Sequence, residues 1–508
     1  MIVHRPRPVA PPTHAHPANK IPRSILLEIF MQYACGERKD THDKMPDTQH
    51  ILDPRSVAFT HVCRSWREVA LSPLLWSSLR LPSVPDAKHR SPEVDKFFYA
   101  LDLWLSRSSR FPLSYSLWME TTNIHNATRY MSMLCAQSMR WKSVSIKLVG
   151  PTVDIFPAEW FGPLSHLECF AIESYSSTSL SHPILGILKS SDRLRKANIK
   201  SSSITSWVLP WSTLTELSLT FQSISPVSPI DMEQLAQNIS QCTSLQTLRL
   251  RLRFQQVKCD ATCAISGTLK LPQLMHLVLS SEDSVIISQF LARLKVPRLE
   301  YLRIRCHGQT WPSDSDDLED VLGDLGCAQS LHRIELDAIN LSFDLVDVEL
   351  TNVLHRFPNL THVVIRDINI SFCFFEMIML NGQNTKLEHL SIYRGEQLVI
   401  GEPAIWTLNY LQDQRQFYCA LLDLVDSRTR SLDSSTEPHT SVSRLKAVTL
   451  FPREWQFLWQ VAWHQWFTSK TGQNPGNMDS RMLSVFMSNP GRFTDGIRSS
   501  LRSTRLIL

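Results

Sequence analysis

Glycine is the first shortage: the 508-residue chain has only 15, about 3% where roughly 7% is usual. Phosphate cradles and sharp catalytic turns rely on glycine's access to positive φ, so the material for both is thin. GxSxG, GxxxxGK, GxGxxG and HExxH do not occur, which removes the common signatures of nucleophile elbows, phosphate loops, dinucleotide folds and zinc-protease helices. Long hydrophobic runs are missing too. None approaches the 18 or more apolar residues of a membrane helix, and the opening Met1-Ile2-Val3-His4-Arg5-Pro6 lacks the apolar core of a signal peptide. No one sign of charge prevails, with Lys+Arg at 52, Asp+Glu at 48 and a net charge of +4. Neither nucleic acid nor a membrane is therefore expected as a partner. The 11 cysteines are odd in number and without a framework, so free thiols in a reducing compartment, cytoplasm or nucleus, are expected. Cys259 and Cys263 have no second pair to complete a zinc site, and His4, His14 and His16 lie in a proline-rich leader. No metal and no cofactor is expected.

Leucine is abundant instead, and it recurs as Leu, two residues, Leu, one residue, Leu or Ile. Copies start at Leu214, Leu245, Leu274, Leu299, Leu331, Leu360 and Leu387, spaced 31, 29, 25, 32, 29 and 27 apart. Looser copies start at Trp141, Leu164, Leu194 and Leu445. The spacing suits a leucine-rich repeat near or slightly above its usual length. The last two apolar positions alternate with polar ones, as on a short strand with one buried face. A single unit cannot bury its own leucines, whereas stacked units share a core. Helical stretches precede several strands, among them residues 232–239 and 285–294. The asparagine of regular repeats is absent from its usual offset, so the array is irregular.

Near the N-terminus, Ile25, Leu26, Ile29 and Phe30 recur at helical spacing behind Ile21-Pro22, with Pro22 suited to a first turn. After a polar insertion, Phe59, Val62, Cys63, Trp66, Val69 and Ala70 trace one face of a second helix starting around Pro54–Ser56, which makes Cys63 a buried, inert thiol. Pro73 ends it, and Leu74-Leu75-Trp76 follows. A helix, a proline break and an alternating strand fit Leu101 to Leu117.

The order Ile21-Pro22, Ile25-Leu26, Ile29-Phe30, Val62-Cys63-Arg64-Ser65-Trp66, Ala70, Pro73-Leu74-Leu75-Trp76 resembles an F-box over about 60 residues. It departs from the family pattern at Ile21, where Leu is usual, at Ser24, where an acidic residue is common, and in the length of the insertion. Fungal F-box-like domains often carry such an insertion, and similar helix–Pro–strand connectors follow the F-box in mushroom-type fungal proteins. The plain alternative is a helical subdomain whose Trp and Leu fill its own core. A domain this small buries little for itself, so leftover apolar surface around Ile21 and Pro22 is what a partner would cover. The resemblance implies an adaptor-binding set of Ile21, Pro22, Ile25, Leu26, Ile29, Phe30, Val62, Cys63, Trp66 and Trp76.

The expected fold is an α/β repeat, an irregular leucine-rich-repeat solenoid, with a small all-α N-terminal F-box-like domain. The divisions are a leader at 1–20, the F-box-like domain at 21–81, a connector at 82–140, the solenoid at 141–452 and a cap and tail at 453–508. The resemblance implies a non-catalytic substrate receptor of a Skp–cullin–F-box ubiquitin ligase. It would bind a Skp-type adaptor and, through it, the cullin and RING subunits, for ubiquitin-dependent degradation of a target. A binding scaffold without a ubiquitin-ligase role is the alternative. Strand residues between the leucines should face the concave side, which nominates Arg249, Arg251, Tyr301, Arg303, Arg305, Arg333, Arg366 and Tyr393 for an acidic or phosphorylated target, with Glu335 and Asp337 diluting the patch. The alternative is ordinary exposed strand charge. Trp455, Leu458, Trp459, Ala462, Trp463 and Trp466 form an aromatic helical stripe, suited to an end cap or a partner-binding face.

Overall fold

Pro22 stands directly before the first helix, α1 (Arg23–Cys35), and its carbonyl accepts the Leu26 N–H at 3.0 Å. In the computed structural model, the described residues are 21–35, 59–81, 91–120, 124–149, 160–174, 183–201, 208–223, 229–254, 267–306, 318–337, 346–368, 370–381 and 386–393, with short pieces at 416–417, 419–421, 423–424, 447–451, 468–469, 484–486 and 504–507. The chain forms two compact units, residues 1–170 and 171–508. The tryptophan stripe at 455–466 lies outside the described residues, as does the leader.

In the first unit, α1 packs on α2 (Arg64–Ala70). The expectation of one helix running through Phe59, Val62 and Cys63 is corrected here. Cys63 has extended backbone, φ −157° and ψ 173°, and acts as the N-cap, its Sγ accepting the Trp66 N–H at 3.5 Å. A residue whose sulfur serves the exposed donors of a helix cannot also continue that helix upstream. The core is aromatic: Phe30 stacks on Phe59 with centroids 3.9 Å apart and meets Trp66 edge-on at 5.0 Å. A tight turn, Pro73–Trp76, buries Trp76, whose indole N–H donates to the Ala70 carbonyl at 2.7 Å.

The chain then adds β1 (Ser78–Leu81), α3 (Pro92–Arg107), β2 (Leu113–Glu120), α4 (Ile124–Cys135) and β3 (Trp141–Val149). Ser91 caps α3 by accepting the Val94 N–H, with Glu93 and Asp95 in the first turn and Arg107 in the last, each on the side the helix dipole favours. The Arg107 guanidinium lies over the Trp76 ring at 4.6 Å. β1, β2 and β3 pair in parallel. The divisions expected at 81 and 140 therefore cut through one unit, because the connector's alternating Leu113, Tyr115, Leu117 and Met119 are buried strand residues. β4 (Cys169–Ser174) spans the sequence boundary between the units.

The second unit begins with α5 (Pro183–Leu188), β5 (Lys196–Ser201), β6 (Glu216–Ser223), α6 (Pro229–Ser240), β7 (Thr247–Phe254), β8 (Leu269–Lys270), β9 (His276–Ser281), α7 (Ser284–Arg293), β10 (Leu294–Lys295) and β11 (Tyr301–Cys306). It continues with α8 (Leu318–Gly323), β12 (Arg333–Asp337), α9 (Val346–Arg356), β13 (His362–Arg366), α10 (Phe372–Asn381), β14 (His389–Tyr393) and β15 (Ala447–Phe451). β5, β6, β7, β9, β11, β12, β13, β14 and β15 lie side by side in parallel. β8 and β10 form a separate short pair. Beyond β15 the strands β16 (Ser484–Phe486) and β17 (Thr504–Ile507) join antiparallel, in the order β15-β17-β16.

This is an α/β fold with a long parallel sheet, and its register turns the leucine pattern into rows. Leu217, Leu248, Leu277, Leu302, Ile334, Val363 and Leu390 stand in one row, each at 2% exposure or less. Neighbouring strands thus share one core, as stacked repeats must. The residue after each leading leucine builds a second device. The Arg195 carbonyl accepts both Thr215 and Glu216 N–H, and Thr215, Gln246, Met275, Glu300, His332 and Thr361 each do the same for the next unit. This backbone spine links successive units. Turns of the type Leu271-Pro272-Gln273-Leu274, Val296-Pro297-Arg298-Leu299 and Phe357-Pro358-Asn359-Leu360 lead into it, closed by N–H bonds from fourth residue to first, with proline where its fixed φ fits. β14 pairs directly with β15.

Candidate functional site

Two surfaces carry the residues singled out by the sequence, one in each unit. In the first unit the ten adaptor-binding candidates separate by burial. Leu26, Phe30 and Trp76 fill the unit's own core at 5% exposure or less. As direct contacts they are corrected, since a side chain already enclosed by its own fold has no surface left to offer. Trp66 and Cys63 are half-buried; Trp66 packs on Phe30, and Cys63 caps its helix instead of lying buried on its face. Ile21 is half-buried and Pro22 exposed. Ile25 at 52%, Ile29 at 47% and Val62 at 58% remain open to solvent.

Ile25 and Ile29 are about one helical turn apart, so they form a ridge on α1 beside the inward stripe of Leu26 and Phe30. Leu71, 44% exposed just beyond α2, was not singled out from the sequence. α1 is held to α2 by an Arg23–Glu68 ion pair, and Arg64 reaches the same carboxylate at 3.4 Å. Exposed ion pairs of this kind stabilise little. The aromatic core holds the ridge in place.

In the second unit the eight nominated residues do share one face: Arg249 and Arg251 on β7, Tyr301, Arg303 and Arg305 on β11, Arg333 on β12, Arg366 on β13 and Tyr393 on β14. Their alternation with buried leucines puts them there. Glu335 and Asp337 are not exposed diluents of the patch, a second correction. Each is 3% exposed, Glu335 sunk beneath arginines of β11, β12 and β13 and Asp337 beneath two arginines of β11. Arg333 Nε donates to Glu335 at 3.0 Å, Arg366 Nη1 at 3.2 Å, and Arg303 approaches it at 3.7 Å. Arg303 Nη2 donates to Asp337 at 3.0 Å, and Arg305 Nε lies 3.4 Å from the same carboxylate. Burial pushes the Glu335 carboxyl up, but the Arg333 hydrogen bond and the charges of Arg333, Arg366 and Arg303 hold it below the usual glutamate range. Burial alone would lower the Arg303 pKa; its bond to Asp337 and the nearby Glu335 and Asp337 charges raise it instead.

Arg333 also lies over Tyr301 at 5.4 Å and Arg366 over Tyr393 at 4.7 Å. Four of the six nominated arginines are thus committed within the protein, while Arg249 and Arg251 have no ion pair among the described residues. Arg253 continues their column and was missed by the sequence reading. Its signal was legible, since Leu248, Arg249, Leu250, Arg251, Leu252 and Arg253 keep one alternation. His362 and His389 stack at 4.2 Å on the same face, a pairing set by the strand register.

Among the described residues no group of three or more His, Cys, Asp or Glu is arranged to hold a metal, and no helix is long and apolar enough to cross a membrane. No family model matches the chain, and no curated protein matches it. Among solved structures it is similar to the one titled "Crystal structure of TLR13-ssRNA13 complex", at 12% identity and a TM-score of 0.26, covering 64% of this chain and 56% of that one. The chain thus spans little more than half the length of that neighbour.

Proposed function

We propose that this chain is the substrate-recognition subunit of a Skp–cullin–F-box ubiquitin ligase. Its F-box-like helices dock a Skp-type adaptor, and its irregular leucine-rich-repeat unit holds a target protein. The observation that carries the reading is the exposed Ile25–Ile29 ridge, standing on helices whose residues follow the F-box order. A helix that keeps large aliphatic side chains in water offers a partner an apolar face. The repeat unit supports the second half of the reading, because a long parallel sheet presents one side chain in two to a ligand.

The subunit is not an enzyme. It works by proximity, raising the effective concentration of the target's lysine near the charged conjugating enzyme, while bond chemistry belongs to other subunits. The test is co-expression of the tagged chain with Skp-type adaptor, cullin and RING protein, followed by purification on the tag. Recovery of all four supports the reading. Recovery of a folded chain with no adaptor overturns it.

A further inference from the structure

One place on the turns before the strands sets the two units apart. Two residues before each leading leucine, the second unit carries polar residues or proline, from Asp192 and Ser212 to Pro297 and Gln329. Its turns are also tied sideways, Arg298 Nη1 donating to Gln273 at 2.7 Å and Asn359 Nδ2 to the Gln329 carbonyl at 2.7 Å. In the first unit the same place holds Phe111, two residues before buried Leu113, and Met139, two before buried Trp141. Phe111 is 42% exposed and Met139 55%. Leu113 and Trp141 are register partners on β2 and β3, so the two turns lie side by side.

Hydrogen bonds fix the frame beneath these side chains. Arg140 donates through Nε to the Phe111 carbonyl at 3.1 Å, through Nη2 to the Ser108 hydroxyl at 2.7 Å and through Nη1 to Gln137 at 2.9 Å. A third turn joins at Gly162, whose N–H donates to Ser138 Oγ at 2.8 Å. Met139 lies across that glycine: a Cβ added there would fall 2.8 Å from Met139 Cγ. The surroundings are positive. Arg107, Arg110, Arg140 and Lys142 stand on these turns and strand starts against one carboxylate, Glu168, 3.8 Å from Lys142. No carboxylate among the described residues pairs with Arg107, Arg110 or Arg140, and the partners of Arg140 are neutral groups that leave its charge uncancelled.

We infer that the Phe111–Met139 turn edge of the first unit is a docking site for an acidic protein segment carrying a large apolar anchor, on a protein other than the adaptor. The inference stands apart from the receptor reading and needs neither the ridge on α1 nor the strand face of the second unit. An aromatic ring and a methionine are the side chains that interface cores favour, and here they stand in water on a hydrogen-bonded frame. The cations around them choose the sign of the partner, since complementary charge steers encounter and like charge rejects it. A second copy of this chain fits less well, because its matching edge would bring the same positive charges. An anionic membrane fits less well too, because entering its headgroup layer takes the long apolar face of an amphipathic helix, and this edge offers two side chains on neighbouring turns.

The test uses the full chain and three fluorescent peptide pools: Asp and Glu in random order around a central Trp, the same pool with Gly for Trp, and the same pool with Lys for the acids. Anisotropy is read for wild type, for a Phe111→Ser, Met139→Ser variant, and for a Val208→Ser, Val348→Ser control, which removes two exposed apolar residues of the second unit. Circular dichroism checks that all three are folded. The acidic Trp pool should bind saturably and in preference to both others. That binding should weaken about tenfold or more in the turn variant and stay unchanged in the control. Equal weakening in both variants, no preference for acid or for Trp, or no binding of any pool overturns the site. So does tighter binding to phosphatidylserine vesicles, or self-association in sedimentation that the turn variant abolishes. Adaptor capture should be the same for wild type and the turn variant; its loss in the variant assigns this edge to the adaptor and overturns a separate site.

Discussion

The carboxylate of Glu335, 3% exposed, accepts a hydrogen bond at 3.2 Å from Arg366 on the neighbouring strand β13. A buried charge is tolerated only with partners, and Arg333 and Arg303 complete the set. Glu335 therefore anchors the arginines of three strands. Replacing it with alanine should destabilise the second unit by about 2 kcal/mol, below the 3–5 kcal/mol of a fully buried pair because the arginines are partly in water. Urea unfolding of Glu335→Ala beside wild type checks this. An unchanged midpoint contradicts it.

Acid should expose the same group. Glu335 titrates below the usual glutamate range in the folded chain, so as pH falls the unfolded chain takes up the proton first. The stability from its charge is whole above the unfolded value near 4.3 and is lost as pH falls through the folded value. Glu335→Gln should flatten that part of the curve. Urea midpoints of the two proteins, followed from pH 6 downward, should converge as the pH approaches the folded value; parallel curves count against the network.

Leu302 tests the core. It is 0% exposed, with Leu277 and Ile334 beside it in the row. Leu302→Ala should cost about 2–5 kcal/mol by removing transfer energy and leaving a cavity. Thermal unfolding by calorimetry reads the loss, and a change under about 1 kcal/mol would show a site that collapses freely.

The thiols of Cys242, Cys306 and Cys327 are each pushed up to about 12, chiefly by burial. The thiolate is the reactive form, so iodoacetamide at pH 8 should leave all three unmodified in the folded protein and alkylate them in urea. Half-buried Cys63 should react before them. Peptide mass spectrometry gives the order, and early labelling of Cys306 would contradict its placement.

The repeat was legible because its signal is dense: three apolar positions per unit, in a fixed pattern, decide which face of each strand is buried. Leu214 to Ile392 follow that pattern in sequence and in the sheet. Features of register and reach were not legible. Nothing in Arg333-Ile334-Glu335-Leu336-Asp337 alone says that both acids sink beneath arginines about 30 residues away, upstream for Asp337 and on both sides for Glu335. The first unit shows the same limit. Helical periodicity selected Ile25, Leu26, Ile29 and Phe30 together, but only packing against Phe59 and Trp66 divides them into ridge and core. Cys63 misled because its apolar spacing matched a helix face, while its sulfur was serving as the cap.

The exposed ridge is tested most directly by titrating a purified Skp-type adaptor into the full chain by calorimetry, wild type beside an Ile25→Asp, Ile29→Asp variant. Both residues lie on the open side of α1, so circular dichroism and thermal unfolding should be nearly unchanged. Wild type should bind with a negative heat-capacity change, the mark of buried apolar surface, and the folded variant should lose that binding by about 100-fold or more. Equal binding by both proteins, or none by a folded wild type, would contradict the account.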